Sequence, residues 1–322
     1  MRTGAAGAGA AGAGWEKTAG RVGTAGDRPA RLRPAPAAAQ APAAGPRTLA
    51  YALRWRPRGI RPGAHAGGGE GGEGAFRRHV ELTRSPDPRR LDVLASLRDP
   101  FGTLHVRQYA PRRAIAVAAL VDLSASMRFG GLVAGPVTEL CTLLAASAQA
   151  IGDSFALHGA GAAPREDVDL PAGRRRGIET EVRSRLARAE PDGAGSAGLV
   201  AAAERLPARR GMVFLISDFL MPADEIGRLL DALWRHDVIP VVLHDSAAER
   251  DLPRWGLVQL ADLETGARRL VVMRPALRAR WRAAARARRA ALDALFAAHG
   301  ARAFHLVDRL DADALARHLL EG

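Results

Sequence analysis

A chain of 322 residues, 48% of them apolar, can bury a core large enough for one sizeable domain and an appendage. Its single cysteine, Cys141, excludes an intrachain disulfide, and the lack of an apolar run long enough to cross a bilayer or form a signal-peptide core predicts a cytoplasmic protein with no membrane span. The net charge of +13 invites an acidic partner, but Lys17 is the only lysine and aromatics make up only 5%, so solvated arginine-rich surface is preferred over a nucleic-acid footprint.

Residues 1–47 are dominated by Ala, Gly, Pro and Arg, with Trp15 almost alone as a large apolar side chain. Such a segment cannot bury enough surface to offset its ordering entropy and is predicted to be a disordered low-complexity tail. Its G-x-G-x-x-G match, Gly7 to Gly12, follows no strand and carries no nucleotide-binding signal. Lys17-Thr18 fails as a phosphate loop because Glu16 stands where glycine is needed. Residues 48–112 change character. Tyr51, Trp55 and Ile60 lead through an Arg61-Pro62-Gly63 turn to a glycine-rich loop from His65 to Gly74. A segment mixing charge and turn residues follows, Asp87-Pro88-Arg89-Arg90-Leu91-Asp92 and Arg98-Asp99-Pro100, then short-strand candidates at Leu104, Val106 and Tyr109. This reads as a small ordered subdomain whose Arg and Asp residues pin it to the main sheet.

Residues 113–322 alternate strand and helix. Ile115 to Val121 is an uncharged apolar run, the pattern of a parallel strand covered on both faces. Pro136 opens a predicted helix with Val137, Leu140, Cys141, Leu144, Ala148 and Ile151 on one face, so Cys141 reads as a core thiol. Ser154 to Gly159 and Val168 to Leu170 form a hairpin. Ile178 to Glu190 and Leu199 to Leu206 form helices, and Val213 to Ile216 is a second buried strand. Asp224 is a candidate N-cap for a helix carrying Ile226, Leu229, Leu230 and Leu233. Val238 to Leu243, a hairpin from Leu257 to Met273, a long helix from Pro275 to His299, a strand from Ala303 to Val307 and a helix from Ala312 to Leu320 complete the chain. The alternation predicts an α/β fold with a mainly parallel sheet and helices on both faces.

Chemistry concentrates where the first buried strand ends. Asp122, Ser124 and Ser126 are spaced two apart, so along an extended chain a carboxylate and two hydroxyls point the same way, the oxygen set a hard cation prefers. Carboxyl ends of central strands are where open α/β sheets bind ligands. D-x-S-x-S followed by Met127 resembles the metal-ion-dependent adhesion site of von Willebrand factor A domains. That resemblance implies metal coordination by Ser124 and Ser126, a later aspartate at Asp218 after Ser217, and a hydroxyl from Ser196 in the Gly193 to Leu199 stretch, where relatives usually carry threonine. Further matches widen it: RPGAH at Arg61 to His65, LRDPFG at Leu97 to Gly102, VDLSASMRFG at Val121 to Gly130, LISDF at Leu215 to Phe219, RHDVIPV at Arg235 to Val241 and the Asp262 to Gly266 turn. Together they look like the bacterial von Willebrand A-like, MoxR-associated proteins (domain of unknown function 58), encoded beside MoxR-type AAA+ ATPases.

The resemblance implies a non-enzymatic binding module holding Mg²⁺ or Mn²⁺ at Asp122, Ser124, Ser126, Ser196 and Asp218. The expected partners are a MoxR-type ATPase and a client protein offering a carboxylate. Haloacid dehalogenase-like phosphoryl transfer is disfavoured, because Ser124 replaces the second acid and no lysine follows Lys17. Ser154 lacks a nucleophile elbow. His236, His244, His299, His305 and His318 form no convincing zinc pair, with His236 read as interacting with a helix dipole and His244-Asp245 with Glu249 as loop structure. The alternative function is nucleic-acid binding through the seven arginines from Arg274 to Arg289, unopposed by acid until Asp293.

Overall fold

The computed structural model describes residues 23–24, 48–55, 57, 62–66, 74–192, 195, 197–246, 253–261 and 268–321. The chain runs through β1 (Gly23–Thr24), β2 (Pro62–Ala66), β3 (Gly74–Glu81), α1 (Val93–Leu97), β4 (His105–Arg113), β5 (Ala116–Asp122), α2 (Thr138–Ile151), β6 (Ser154–Ala160), β7 (Pro164–Gly173), α3 (Ile178–Arg188) and α4 (Ala197–Glu204). It continues through β8 (Met212–Ser217), α5 (Ala223–Ala232), β9 (Asp237–His244), β10 (Gly256–Ala261), β11 (Arg268–Met273), α6 (Pro275–Ala298), β12 (Phe304–Val307) and α7 (Ala312–Leu320).

Six strands form the central sheet in the order β12-β9-β8-β5-β6-β7. All neighbours are parallel except β6 and β7, which make an antiparallel edge. The alternation along β5 explains why it lies inside. Val117, Ala119 and Val121 face one core with α2, α3 and α7, while Ala118 and Leu120 face the other with α4, α5 and the C-terminal half of α6. A strand apolar on both faces has to be covered on both, and right-handed crossovers supply helices on each side.

Two local expectations are corrected. Pro136 does not open α2; it lies in a π-helical turn, Val133–Val137, and the helix begins at Thr138. A proline cannot donate the intrahelical hydrogen bond, so the turn before the helix accommodates it. Asp224 is not an N-cap: Pro222 holds that position without a side-chain cap bond, and Asp224 sits in the first turn of α5, where its charge meets the helix's positive end.

β2, β4 and β3 form a small antiparallel sheet, and β10 and β11 form a hairpin to which β1 pairs. The charged residues of the 86–107 region pair among themselves. Arg107 Nε donates to Asp92 at 2.6 Å, His105 Nε2 meets Asp99 at 2.6 Å, and Arg90 meets Asp87 at 3.1 Å. Asp92 also N-caps α1 through Ala95 N–H. These bonds fasten α1 onto β4 rather than the subdomain onto the main sheet.

The link to the main sheet is a different carboxylate. Asp153, just after Gly152 ends α2 with φ +85°, is buried with an exposure of 1%. It accepts the Tyr51 hydroxyl at 2.6 Å and the Ile115 N–H at 2.9 Å, and His65 Nε2 lies 2.7 Å away. Burial and the neighbouring Asp153 charge both push the Tyr51 hydroxyl up, so it remains a donor. Leu49 and Tyr51 belong to the core shared with α2 and α7, and Leu49 N–H donates to Ser147 Oγ at 2.8 Å. Asp153→Ala should leave a buried hydroxyl and a buried N–H without an acceptor, lowering stability by about 3 kcal/mol. Urea unfolding measures this, and an unchanged midpoint would show that the anchor carries no weight.

Candidate metal centre

β5 and β8 are hydrogen-bonded neighbours, and both end at the same rim of the sheet. That register brings Asp122 and the Ser217-Asp218 pair together although they lie far apart in sequence. Asp122 is 1% exposed. One of its oxygens accepts the Ser124 N–H at 2.8 Å and the other accepts the Ser217 hydroxyl at 2.6 Å. Ser217 Oγ in turn accepts Phe219 N–H at 2.8 Å. Ser124 and Ser126 Oγ atoms lie 3.1 Å apart, and the Ser126 hydroxyl works against the upward push of burial on the Asp218 carboxyl. Asp218, partly exposed at the rim, also accepts Leu220 N–H at 3.0 Å.

The turn after β8 is held hard. Phe219 adopts φ +52°, a left-handed conformation unusual for a bulky side chain, and it is fully buried against Phe296 of α6 with ring centroids 5.0 Å apart. Arg288 of α6 donates to the Phe219 carbonyl, and its guanidinium charge favours the ionised form of Asp218.

The structure therefore brings four expected residues, Asp122, Ser124, Ser126 and Asp218, into one cluster. Ser196 lies outside the described residues. On either side of it, Asp192 N–H donates to the Leu123 carbonyl at 2.9 Å and Gly198 N–H to the Gly161 carbonyl at 2.9 Å. A Cβ on Gly198 would fall 2.5 Å from Ala163 backbone, so only glycine permits that close approach.

Electrostatics decide what the cluster can do. Burial pushes the Asp122 carboxyl up to about 7, with the Asp218 charge the next cause and the Ser217 and Ser124 hydrogen bonds opposing it. Burial also raises Asp218. Two desolvated carboxylates side by side need either a proton or a cation. Among the described residues no group of three or more His, Cys, Asp or Glu side chains is placed to hold a metal ion. This cluster has two carboxylates, and serine hydroxyls supply the remaining oxygens. An all-oxygen set of that kind fits a hard divalent cation better than zinc.

Two contributors are not evident from the sequence pattern. Ser217 stands there only as the neighbour of Asp218, although its hydroxyl fixes Asp122; its place beside a strand-end aspartate is the available signal. Arg288 carries no signal, since only the packing of α6 brings it near the rim. The histidines also need the fold. His244 Nε2 and His305 Nδ1 meet at 2.8 Å and His305 Nε2 contacts Asp293 at 2.8 Å, while burial pushes His244 down to about 4. Glu249, the third member of the His244-Asp245 grouping, lies outside the described residues. His236 is not a charged partner of a helix dipole: burial lowers it, and its Nδ1 accepts the Gly211 N–H at 3.3 Å. Cys141 is buried, and its thiol is pushed up by burial.

The raised Asp122 value fixes a sign. From the ordinary 3.8 to about 7, the folded chain binds a proton that the unfolded chain has released, so this group's stabilising contribution, full below about pH 4, is lost as pH rises through 7. Asp122→Asn mimics the protonated form. In a metal-chelating buffer the variant should exceed its parent in urea stability at pH 8 by a few kcal/mol, since each tenfold change in proton affinity corresponds to about 1.4 kcal/mol. The gap should close near pH 4; equal stability at pH 8 would contradict a carboxylate destabilised by burial.

Residues 86–291 match the family described as "Protein of unknown function DUF58". A Paracoccus denitrificans protein described as an uncharacterized protein in the moxR 3' region is 45% identical over 98 residues, 30% of this chain and 93% of that protein. Uncharacterized proteins of Mycobacterium bovis and Mycobacterium tuberculosis are each 32% identical over 267 residues, 77% of this chain and 79% of theirs. Among solved structures, the conserved hypothetical protein BatB from Bacteroides thetaiotaomicron aligns with a TM-score of 0.41 at 12% identity, over 64% of this chain and 97% of that one. The PilB minor pilin of Streptococcus sanguinis aligns with a TM-score of 0.37 at 9% identity, over 69% of this chain and 65% of that one. At such scores neither structural likeness carries weight.

Proposed function

The chain belongs to the DUF58 family, and on that premise we propose that it is a non-enzymatic, metal-dependent protein-binding module of the von Willebrand factor A type, acting as adaptor for a MoxR-type AAA+ ATPase. The observation that carries the reading is the convergence of Asp122, Ser124, Ser126 and Asp218 at one rim of the sheet, with both carboxyls raised by burial. The Paracoccus relative described as lying in the moxR 3' region supports the choice of ATPase. Among the described residues no helix is long and apolar enough to cross a membrane, which suits an adaptor that works without a span.

Each residue has a distinct task. Ser124 N–H and Ser217 Oγ hold the two oxygens of Asp122 in fixed directions. Ser124 and Ser126 offer hydroxyl oxygens side by side, and Asp218 faces the rim. Ser196 completes the ligand set we assign. Held by these side chains, Mg²⁺ or Mn²⁺ supplies an acceptor for a carboxylate of a client protein. The side chains gathered there favour coordination over turnover. Hydroxyls and carboxylates are the oxygens that a hard cation prefers, which supports the non-enzymatic reading. The same reading keeps the division of the chain into a tail (1–47), a small subdomain (48–112) and the binding domain (113–322).

A Ser124→Ala, Ser126→Ala double variant tests it, since both hydroxyls are nearly buried and their loss leaves the backbone intact. Titration calorimetry with Mg²⁺ should show at least about a tenfold weaker affinity, roughly 1.4 kcal/mol. Capture of the partner ATPase or its client in the presence of Mg²⁺ should fall in parallel. Unchanged Mg²⁺ and partner affinities reject the proposal.

A further inference from the structure

The N-terminal half of α6 carries a feature that the adaptor reading does not use. Arg278, Arg282 and Arg286 follow one another at i, i+4 and i+8, so they form a single stripe. With Arg254 from the chain before β10, they line a cleft of about 260 Å³. Among the described residues none of these four guanidinium groups has a carboxylate partner, and Arg278 Nε is buried with no hydrogen-bond partner. Like charges four apart oppose the helix they sit on, and burying a charged nitrogen without an acceptor adds to the cost. The helix end does nothing to offset this. Arg274, the N-cap, makes no side-chain cap bond, and the first turn contains no acidic residue. The positive end of a 24-residue helix therefore adds to the positive charge of the cleft.

The adjoining face of this half-helix is occupied. Leu277 and Trp281 pack against Val258 and Met273 of the β10-β11 hairpin, which fixes the rotation of α6 and with it the direction of the arginine stripe. Arg288, at the Asp218 rim, is two residues beyond Arg286 and so about 200° around the helix. None of the residues lining the cleft belongs to the rim cluster, so the two are separate sites.

We propose that this cleft binds the phosphate chain of a small oligophosphate, two or three phosphoryl groups long. Planar guanidinium forks match phosphate oxygens in pairs, and the helix N-terminus adds a favourable dipole. The volume lies below the roughly 300–1,000 Å³ of pockets that enclose drug-sized ligands, so the site takes the anion rather than a whole large molecule.

Titration calorimetry of the full chain at about 0.15 M ionic strength tests this with sodium tripolyphosphate, ATP and adenosine. Tripolyphosphate and ATP should bind and adenosine should not. Tighter binding of ATP than of tripolyphosphate identifies a nucleotide as the source, and equal binding identifies the free oligophosphate. An Arg278→Ala, Arg282→Ala double variant should bind tripolyphosphate at least about tenfold more weakly. Arg278→Lys, Arg282→Lys, which keeps the charge and removes the forks, should fall between it and the parent. Unchanged circular dichroism confirms that the variants are folded; if the alanine variant is not, the lysine variant alone decides. No binding of tripolyphosphate, or equal affinity in the variants, overturns the proposal. Retention of duplex DNA that tripolyphosphate fails to displace also overturns it, in favour of a nucleic-acid face along α6.

Discussion

A carboxylate buried at the end of the central strand governs much of this structure. Asp122 is almost wholly withdrawn from water, and an ionised carboxylate can stay there only with hydrogen-bond donors or a positive charge nearby. The chain provides the donors locally and at long range, Ser124 N–H from the next turn and Ser217 Oγ from the adjoining strand. Asp218 then adds a second carboxyl rather than relieving the first. Two such groups side by side cost stability unless a proton or a cation relieves them.

The other end of the same strand is held by a polar group as well. Asp153 takes the Ile115 N–H just before β5 and the Tyr51 hydroxyl from the segment ahead of the small sheet. Between these two buried aspartates β5 is uniformly apolar. This gives the sheet a fixed axial position: sliding β5 by one residue would exchange its two faces and break both polar contacts. The small antiparallel sheet is organised separately, around Asp92 and Asp99 and their Arg and His partners.

α6 joins several parts of the molecule. Its first turns lie on the β10-β11 hairpin, its last turns carry Leu292 and Phe296 into the main core, and between them Arg288 reaches the carbonyl of Phe219. The left-handed backbone at Phe219 and the packing of Phe219 on Phe296 tie the rim turn to this helix. The basic composition of α6 thus divides by face. One arginine steadies the turn at the rim, while three others form a stripe beside Arg254 with no carboxylate partner among the described residues.

Much of the α/β order was legible in the sequence because strand and helix periods are set by short-range sterics and hydrogen bonding, which the apolar pattern of β5, β8 and α7 displays directly. The set of Asp122, Ser124 and Ser126 was equally plain, but not for the reason of an extended chain: the strand ends at Asp122, and Ser126 lies in a 3₁₀ turn, Ala125–Gly131, that brings its hydroxyl beside Ser124. Pro136 and Asp224 mislead because a π-helical turn and a proline cap compete there with the usual helix-start signals. Tertiary structure alone decided which distant groups would share a buried space: Ser217 with Asp122, Tyr51 and Ile115 with Asp153, Arg288 with Phe219, and His244 with His305. Those pairings follow from the register of neighbouring strands and the seating of helices on them, and desolvation acts only once that packing exists, so no run of residues read along the chain could contain them.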